Sequence, residues 1–150
     1  MPVRQLAPRD LDAWVEMRRA LWPDEDATEL AGEAAKFLSA GTALTLVAVF
    51  VSDSGEGHLS GFVEVGLREY ADGCSNSPVP FIEGWYVAPS SRRTGVGRAL
   101  ISAAEAWSLS QGYTELASDA LLENRQSEVA HKALGFEEVE RAIRFRKALR

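Results

Sequence analysis

Cysteine is almost absent from this chain: Cys74 is the single one in 150 residues. No internal disulfide can form, which excludes a stapled secreted scaffold. Two histidines add little to it, so no Cys/His cluster offers a tetrahedral metal site. No apolar run approaches the roughly 20 residues that a membrane-spanning helix needs. The first ten residues lack the apolar centre of a secretory signal. The expected compartment is therefore the cytoplasm. Positive charge is also short, with 16 Lys and Arg against 22 Asp and Glu and a net charge of −6. That balance argues against nucleic acid, which calls for a basic face, and suits a cationic partner. What is present is ordinary for a globular protein: 46% hydrophobic and 25% charged residues. This length is expected to form a single domain, residues 1–150, around one core.

Val3 to Leu6 reads as a short strand. Asp10 is placed to cap a helix whose apolar face is Leu11, Trp14, Val15, Met17, Arg18 and Leu21, ended by Trp22-Pro23. Asp26 and Glu29 have the spacing of a capping box, and a second helix runs to about Ser39. Leu44–Val51 and Leu59–Leu67 form a hairpin around the turn at Ser52–Gly57. Arg68 to Pro80 is dense in turn formers and reads as a surface loop. A strand then ends near Val87, stopped by Pro89. A helix follows, broken at Gly112. Thr114–Ser118 is a strand, Asn124–Leu134 a helix ended by Gly135, and Glu137–Arg146 a last strand. The order β-α-α-β-β-β-α-β-α-β predicts an α+β domain with a mixed sheet.

The segment Phe81–Ser110 carries the chemistry. Gly95 and Gly97 stand where strand gives way to helix, and Val96, Leu100, Ala103, Ala104 and Trp107 supply the apolar helix face. Unpaired amides and the positive end of the helix dipole converge there, an arrangement that binds anions. Arg92, Arg93 and Arg98 add guanidinium groups suited to phosphate. The spacing is neither a Walker loop nor a complete dinucleotide fingerprint.

Arg92-x-x-Gly95-x-Gly97 resembles the acyl-coenzyme A pyrophosphate loop of the GNAT acetyltransferase superfamily, and the element order matches that superfamily too. Asn124 and the helix ending His131-x-x-x-Gly135-Phe136 match a second family pattern, with His131 where Tyr is usual. Further segments are similar to the aminoglycoside 6′-N-acetyltransferases of the chromosomal, dimeric group. They are Val3-Arg4-Gln5-Leu6, Leu21-Trp22-Pro23, Tyr70-x-x-Gly73-Cys74, Phe81-x-Glu83-Gly84, Ala117-Ser118-Asp119, Glu123-Asn124 and Glu140-Arg141.

The resemblance implies a GNAT fold: a mixed, mostly antiparallel sheet of six to seven strands, about four helices, and a V-shaped splay between strands four and five. It implies acetyl-coenzyme A as cosubstrate and an aminoglycoside as acceptor. Amides of Arg93, Thr94, Gly95, Val96 and Gly97 would hold the pyrophosphate, with Arg92 and Arg98 beside them. Main chain at Trp85, Tyr86 and Val87 would line the pantetheine arm, and the Val87 amide would polarise the thioester carbonyl. Asn124 would contact the same arm, unless it only caps a helix. Glu83, Asp119 and Glu140 match acids that contact substrate, and Trp22 and Tyr70 would face the sugar rings. Glu83 is favoured as proton acceptor, with Asp119 next. His131 would protonate the thiolate, unless it is simply a half-buried helix residue. Glu83 shares strand parity with Phe81, Trp85 and Val87, so either that face lines the cleft or a bulge re-aims its side chain. Cys74 lacks a basic partner, which favours direct transfer over a covalent acetyl carrier. A homodimer through the C-terminal region is expected, with Phe145 where relatives have Tyr. Two alternatives stay open: a GNAT enzyme for another amine, such as a polyamine or protein N-terminus, and a non-catalytic acyl-coenzyme A sensor.

Overall fold

The computed structural model of the protein describes residues 2–150. The chain divides into two compact units, Met1–Ser118 and Asp119–Arg150. The first holds strands β1 (Val3–Gln5), β2 (Leu46–Asp53), β3 (Leu59–Arg68) and β4 (Val79–Val87), with helices α1 (Leu11–Leu21), α2 (Ala27–Ala40) and α3 (Val96–Ser110). The strands form one antiparallel sheet in the order β1-β2-β3-β4. Pleating sends alternate β3 side chains to opposite faces. Phe62 joins Trp14, Met17, Ala34, Val49 and Val51 in the core under α1 and α2. Gly61 faces α3 instead, where a Cβ would lie 3.1 Å from Leu100 and 2.5 Å from the Tyr86 carbonyl. Val96, Leu100, Ile101 and Ala104 bury the matching face of α3.

Local chemistry sets the helix ends. Asp26 caps α2 by accepting from the Glu29 amide at 3.0 Å, and Gly41 closes it in the left-handed conformation. Asp10 does not cap α1 as expected. Its buried carboxylate accepts from the Ala7 amide and from both Arg4 Nη atoms at 2.7 and 2.9 Å, so it fixes the short turn ahead of the helix. The Arg4 hydrogen bonds hold the Asp10 carboxyl below the usual carboxylate range, against the effect of burial. A depressed carboxylate pKa stabilises the fold above the unfolded value of about 3.9, and that stability is lost as pH falls through the folded value. Asp10→Asn is expected to cost about 1.5–3 kcal/mol at neutral pH. It should also flatten the acid limb of a stability-against-pH curve, measured by urea unfolding.

Two strands read from the sequence are not ladders. Thr114–Ser118 reduces to a parallel bridge between Ala117 and Phe81, with the Ile82 amide donating to Ala117 at 2.8 Å and the Ala117 amide to Pro80 at 2.9 Å. Among the described residues β4 is therefore an edge strand beyond Ile82. Pro80, read as loop, sits inside β4. Its ring nitrogen points away from β3, so the ladder loses no bond. Among the described residues four strands are seen where six to seven were expected. The antiparallel sheet and the four helices agree with the GNAT expectation.

In the second unit, α4 (Arg125–Ala133) starts at Asn124, whose side chain accepts from the Ser127 amide at 3.1 Å. Glu137–Arg146 carries no strand, because nothing pairs with it within its own unit. Arg141 instead bridges Glu138 at 2.7 Å and Glu128 at 3.4 Å. No helix among the described residues is long and apolar enough to cross a membrane.

Candidate active site

One cleft, about 280 Å³ in volume, opens beside β3 and β4. Arg18, Trp22, Glu33, Glu64, Thr45 and Glu83 are among its walls. Trp22 and Glu83 were expected there; Arg18, Glu33, Thr45 and Glu64 were not.

Glu83 owes its direction to a bulge. Glu64 pairs with Gly84 while Val65 pairs with Ile82, so Glu83 is the extra residue on β4. This resolves the parity conflict, since the ladder skips Glu83. Its carboxylate accepts from Arg68 Nε at 2.9 Å, Arg68 Nη2 at 2.7 Å and Thr45 Oγ1 at 3.1 Å. Gly66 makes room: a Cβ there would lie 2.7 Å from Glu83 Oε2 and 2.8 Å from Thr45 Oγ1. The Arg68 guanidinium also lies 3.6 Å from the Phe81 ring centroid.

Below lies a buried ion pair. Glu64 accepts from Arg18 Nε at 2.7 Å, Arg18 Nη2 at 3.2 Å and Trp14 Nε1 at 3.0 Å. Arg18 also donates to the Leu30 carbonyl at 2.7 Å and pairs with Glu33 at 3.2 Å. Its guanidinium stands between Trp14 and Trp22, 5.3 and 5.1 Å from their centroids. Burial pushes Glu64 up, and Arg18 then Trp14 pull it back. Burial works against the Arg18 charge, but Glu64 and Glu33 outweigh it and raise its pKa. Three donors around Glu64 satisfy a carboxylate rather than an acid. The signals were in the sequence: an arginine on the apolar face of a helix, and a glutamate within an apolar strand.

Trp22 is thus both a wall of the cleft and part of the packing. Its indole lies over Gly84, where a Cβ would approach ring carbons to 2.8 and 3.0 Å. Gly84→Ala should displace that ring, cost about 1–3 kcal/mol and weaken acceptor binding. Thermal melts together with the acceptor KM check both parts. Tyr70 is 70% exposed and donates to Asp72 at 2.9 Å, outside the residues that line the cleft. Cys74 packs beside Ala71, Val79, Phe81 and Ala117, and burial, then Glu115 and Asp72, push its thiol up. A raised thiol pKa disfavours the thiolate a covalent carrier requires.

The strand-to-helix turn has the expected geometry. Ala88 donates to Ser60, so Ala88 and Tyr86 belong to hydrogen-bonded pairs and Val87 to a non-bonded one. The amide groups of Trp85 and Val87 therefore point to the outer edge of β4. Arg92 Nε donates to the Val87 carbonyl at 2.9 Å. The Tyr86 ring packs 6.0 Å from Phe62, on the core side. Arg93 and Gly95 take positive φ of 64° and 91°, and α3 begins at once. Thr94 Oγ1 donates to the Ser91 carbonyl. Amides of Val96, Gly97 and Arg98 fall in the first turn, where no intrahelical acceptor exists. A Cβ at Gly97 would lie 3.3 Å from Trp85, so the helix start presses close to the strand. Arg93 and Arg98 are exposed beside it.

The second unit carries the remaining expected residues. Asp119 and Glu140 are exposed. Asn124 caps α4 through its side-chain oxygen, as the alternative had it. His131 is half-buried, with Nδ1 2.7 Å from the Ser127 carbonyl and its ring edge-on to Phe136. That contact requires the proton on Nδ1. No metal-binding group of His, Cys, Asp and Glu occurs among the described residues.

Comparison with known proteins is consistent across three levels. The model of the acetyltransferase (GNAT) family matches residues 11–136. The aminoglycoside N(6′)-acetyltransferase type 1 of Klebsiella aerogenes is 46% identical over 147 residues, covering 98% of this chain and 96% of that one. Its counterpart in Stenotrophomonas maltophilia is 44% identical over 148 residues, covering 98% and 93%. The structure of AAC(6′)-Iy, in complex with the bisubstrate analogue CoA-S-monomethyl-acetylneamine, superposes with a TM-score of 0.87 at 38% identity, covering 99% and 98%. Fold, element order, glycine turn and full-length similarity lead to one assignment: this chain belongs to the GNAT acetyltransferase family.

Proposed function

We infer that the protein is an aminoglycoside 6′-N-acetyltransferase that uses acetyl-coenzyme A and thereby confers aminoglycoside resistance. The observation that carries this is identity of 44–46% across nearly the whole chain to enzymes of that name, joined to a cleft whose walls include Glu25, Glu33, Glu64 and Glu83. Carboxylates of this kind attract a polycation, and a non-catalytic cofactor sensor has no use for them. The family match runs through both units, which supports one catalytic domain over residues 1–150.

The residues at the start of α3 suit a coenzyme: first-turn amides with no intrahelical acceptor, two positive-φ positions and flanking arginines all favour a pyrophosphate. Arg93 to Gly97 hold it through main chain, and Arg92, Arg93 and Arg98 add charge. Acetyl-coenzyme A supplies the acyl group when bound. Main chain at Trp85 and Val87 pairs with its peptide-like arm, with Tyr86 between them, and the Val87 amide faces the thioester carbonyl. Trp22 and Tyr70 contact the sugar rings. Glu83, Asp119 and Glu140 hold ammonium groups, and Glu83 accepts the proton of the reacting one through water. Asn124 keeps its amide nitrogen for the coenzyme arm while its oxygen caps α4. His131 Nε2 delivers a proton to the departing thiolate.

The active form is a homodimer built through the C-terminal region. Val139, Ile143, Phe145 and Leu149 are exposed at odd positions on a segment without a strand partner among the described residues. A second copy would cover that row. Steady-state turnover with kanamycin and tobramycin tests the activity. Acetyl transfer that requires the 6′-amine is expected; turnover only with polyamines or peptides would transfer the assignment to another amine.

A further inference from the structure

The Glu83 carboxylate already holds a cation. Arg68, itself outside the lining of the cleft, binds it through two nitrogens at 2.7 and 2.9 Å, and Glu83 stands in the wall where an acceptor's ammonium is to be received. The pair is not deeply buried: the side chains are 40% and 19% exposed, so solvent reaches it. Arg68 also has a second resting surface, the Phe81 face 3.6 Å away, which can hold a guanidinium without a carboxylate. Thr45 keeps Glu83 in place independently, and the missing side chain at Gly66 leaves the notch that seats it.

We propose that Arg68 is a place-holding cation. It occupies Glu83 until an acceptor ammonium displaces it, so it sets how tightly, and with what charge, an acceptor binds. This rests on the aminoglycoside reading. Binding then exchanges one cation for another at the same carboxylate. An acceptor that cannot present an ammonium there leaves Arg68 in place. Arg68 acts through Glu83 and is a positioning residue. The cost of parting it from Glu83 is that of a partly exposed ion pair, which corresponds to about a two- to fivefold change in affinity.

The test is calorimetric titration of tobramycin into the protein saturated with coenzyme A, where no turnover occurs. Arg68→Gln should tighten binding about two- to fivefold, and Arg68→Lys, which keeps a cation but loses the fork, should fall between it and the natural protein. In a Glu83→Gln background the gain from Arg68→Gln should shrink by half or more on a logarithmic scale. Weaker or unchanged binding in Arg68→Gln overturns the exchange. So does a gain of similar size in both backgrounds, which would mean only that positive charge had left the cleft. If the natural protein binds coenzyme A but not tobramycin, the aminoglycoside reading itself fails.

Discussion

Glu83→Gln is expected to lower kcat by about two to four orders of magnitude, the range for loss of a positioned proton acceptor, and to leave coenzyme affinity nearly unchanged. Glutamine preserves the volume seated over Gly66 and can still accept from Thr45, so the bulge and the cleft keep their shape. It removes the charge that Arg68 holds and the basicity that lets the group take a proton. Lost stability cannot account for such an effect: a pair as exposed as Arg68–Glu83 contributes at most about 1 kcal/mol to folding. Initial rates against both substrates separate the possibilities. A kcat within about threefold of the natural enzyme would take the role from Glu83 and pass it to Asp119.

Arg18→Met has the largest expected effect on folding. It strands the Glu64 carboxylate in the core with Trp14 as its remaining donor, at a cost of about 3–5 kcal/mol. Against a total stability of about 5–15 kcal/mol, that loss is a large fraction of the folding margin. The sign of its pH dependence is set by Glu64, whose carboxyl burial already pushes up. A raised carboxylate pKa contributes stability that is full below the unfolded value of about 4.3 and is lost as pH rises through the folded one. The variant should therefore be least impaired in mild acid and most impaired near neutrality. Arg18→Met combined with Glu64→Leu should recover most of the loss, because an apolar pair of similar volume carries no stranded charge. Urea midpoints for the two variants decide it. A single-variant loss under about 1 kcal/mol would mean that Glu64 does not depend on Arg18.

The sequence was readable where period and punctuation agree. Trp14, Met17 and Arg18 lie on the inward face of α1 as their spacing required, and Gly95 breaks into the left-handed conformation that starts α3. Glu83 was named through the family pattern, but its direction stayed open between a cleft-lining face and a bulge, because a bulge is a property of two strands in register. Arg68 was hidden for the same reason: its partner lies 15 positions away, across the ladder. The Arg18–Glu64 pair spans 46 positions and had only the odd placement of each residue to announce it. Residues 137–146 alternate like a strand, yet alternation states only a preference, and a ladder also requires a neighbour.

The extra residue on β4 also constrains how this chain can change in evolution. Removal of one position between Ile82 and Gly84 would restore a regular ladder at that spot. The hairpin would survive, and so would most of the buried surface. Yet the acid itself would be gone, and the notch above Gly66 would stand vacant. Descendants that lost that single codon would keep a foldable protein without the acid proposed to take the proton.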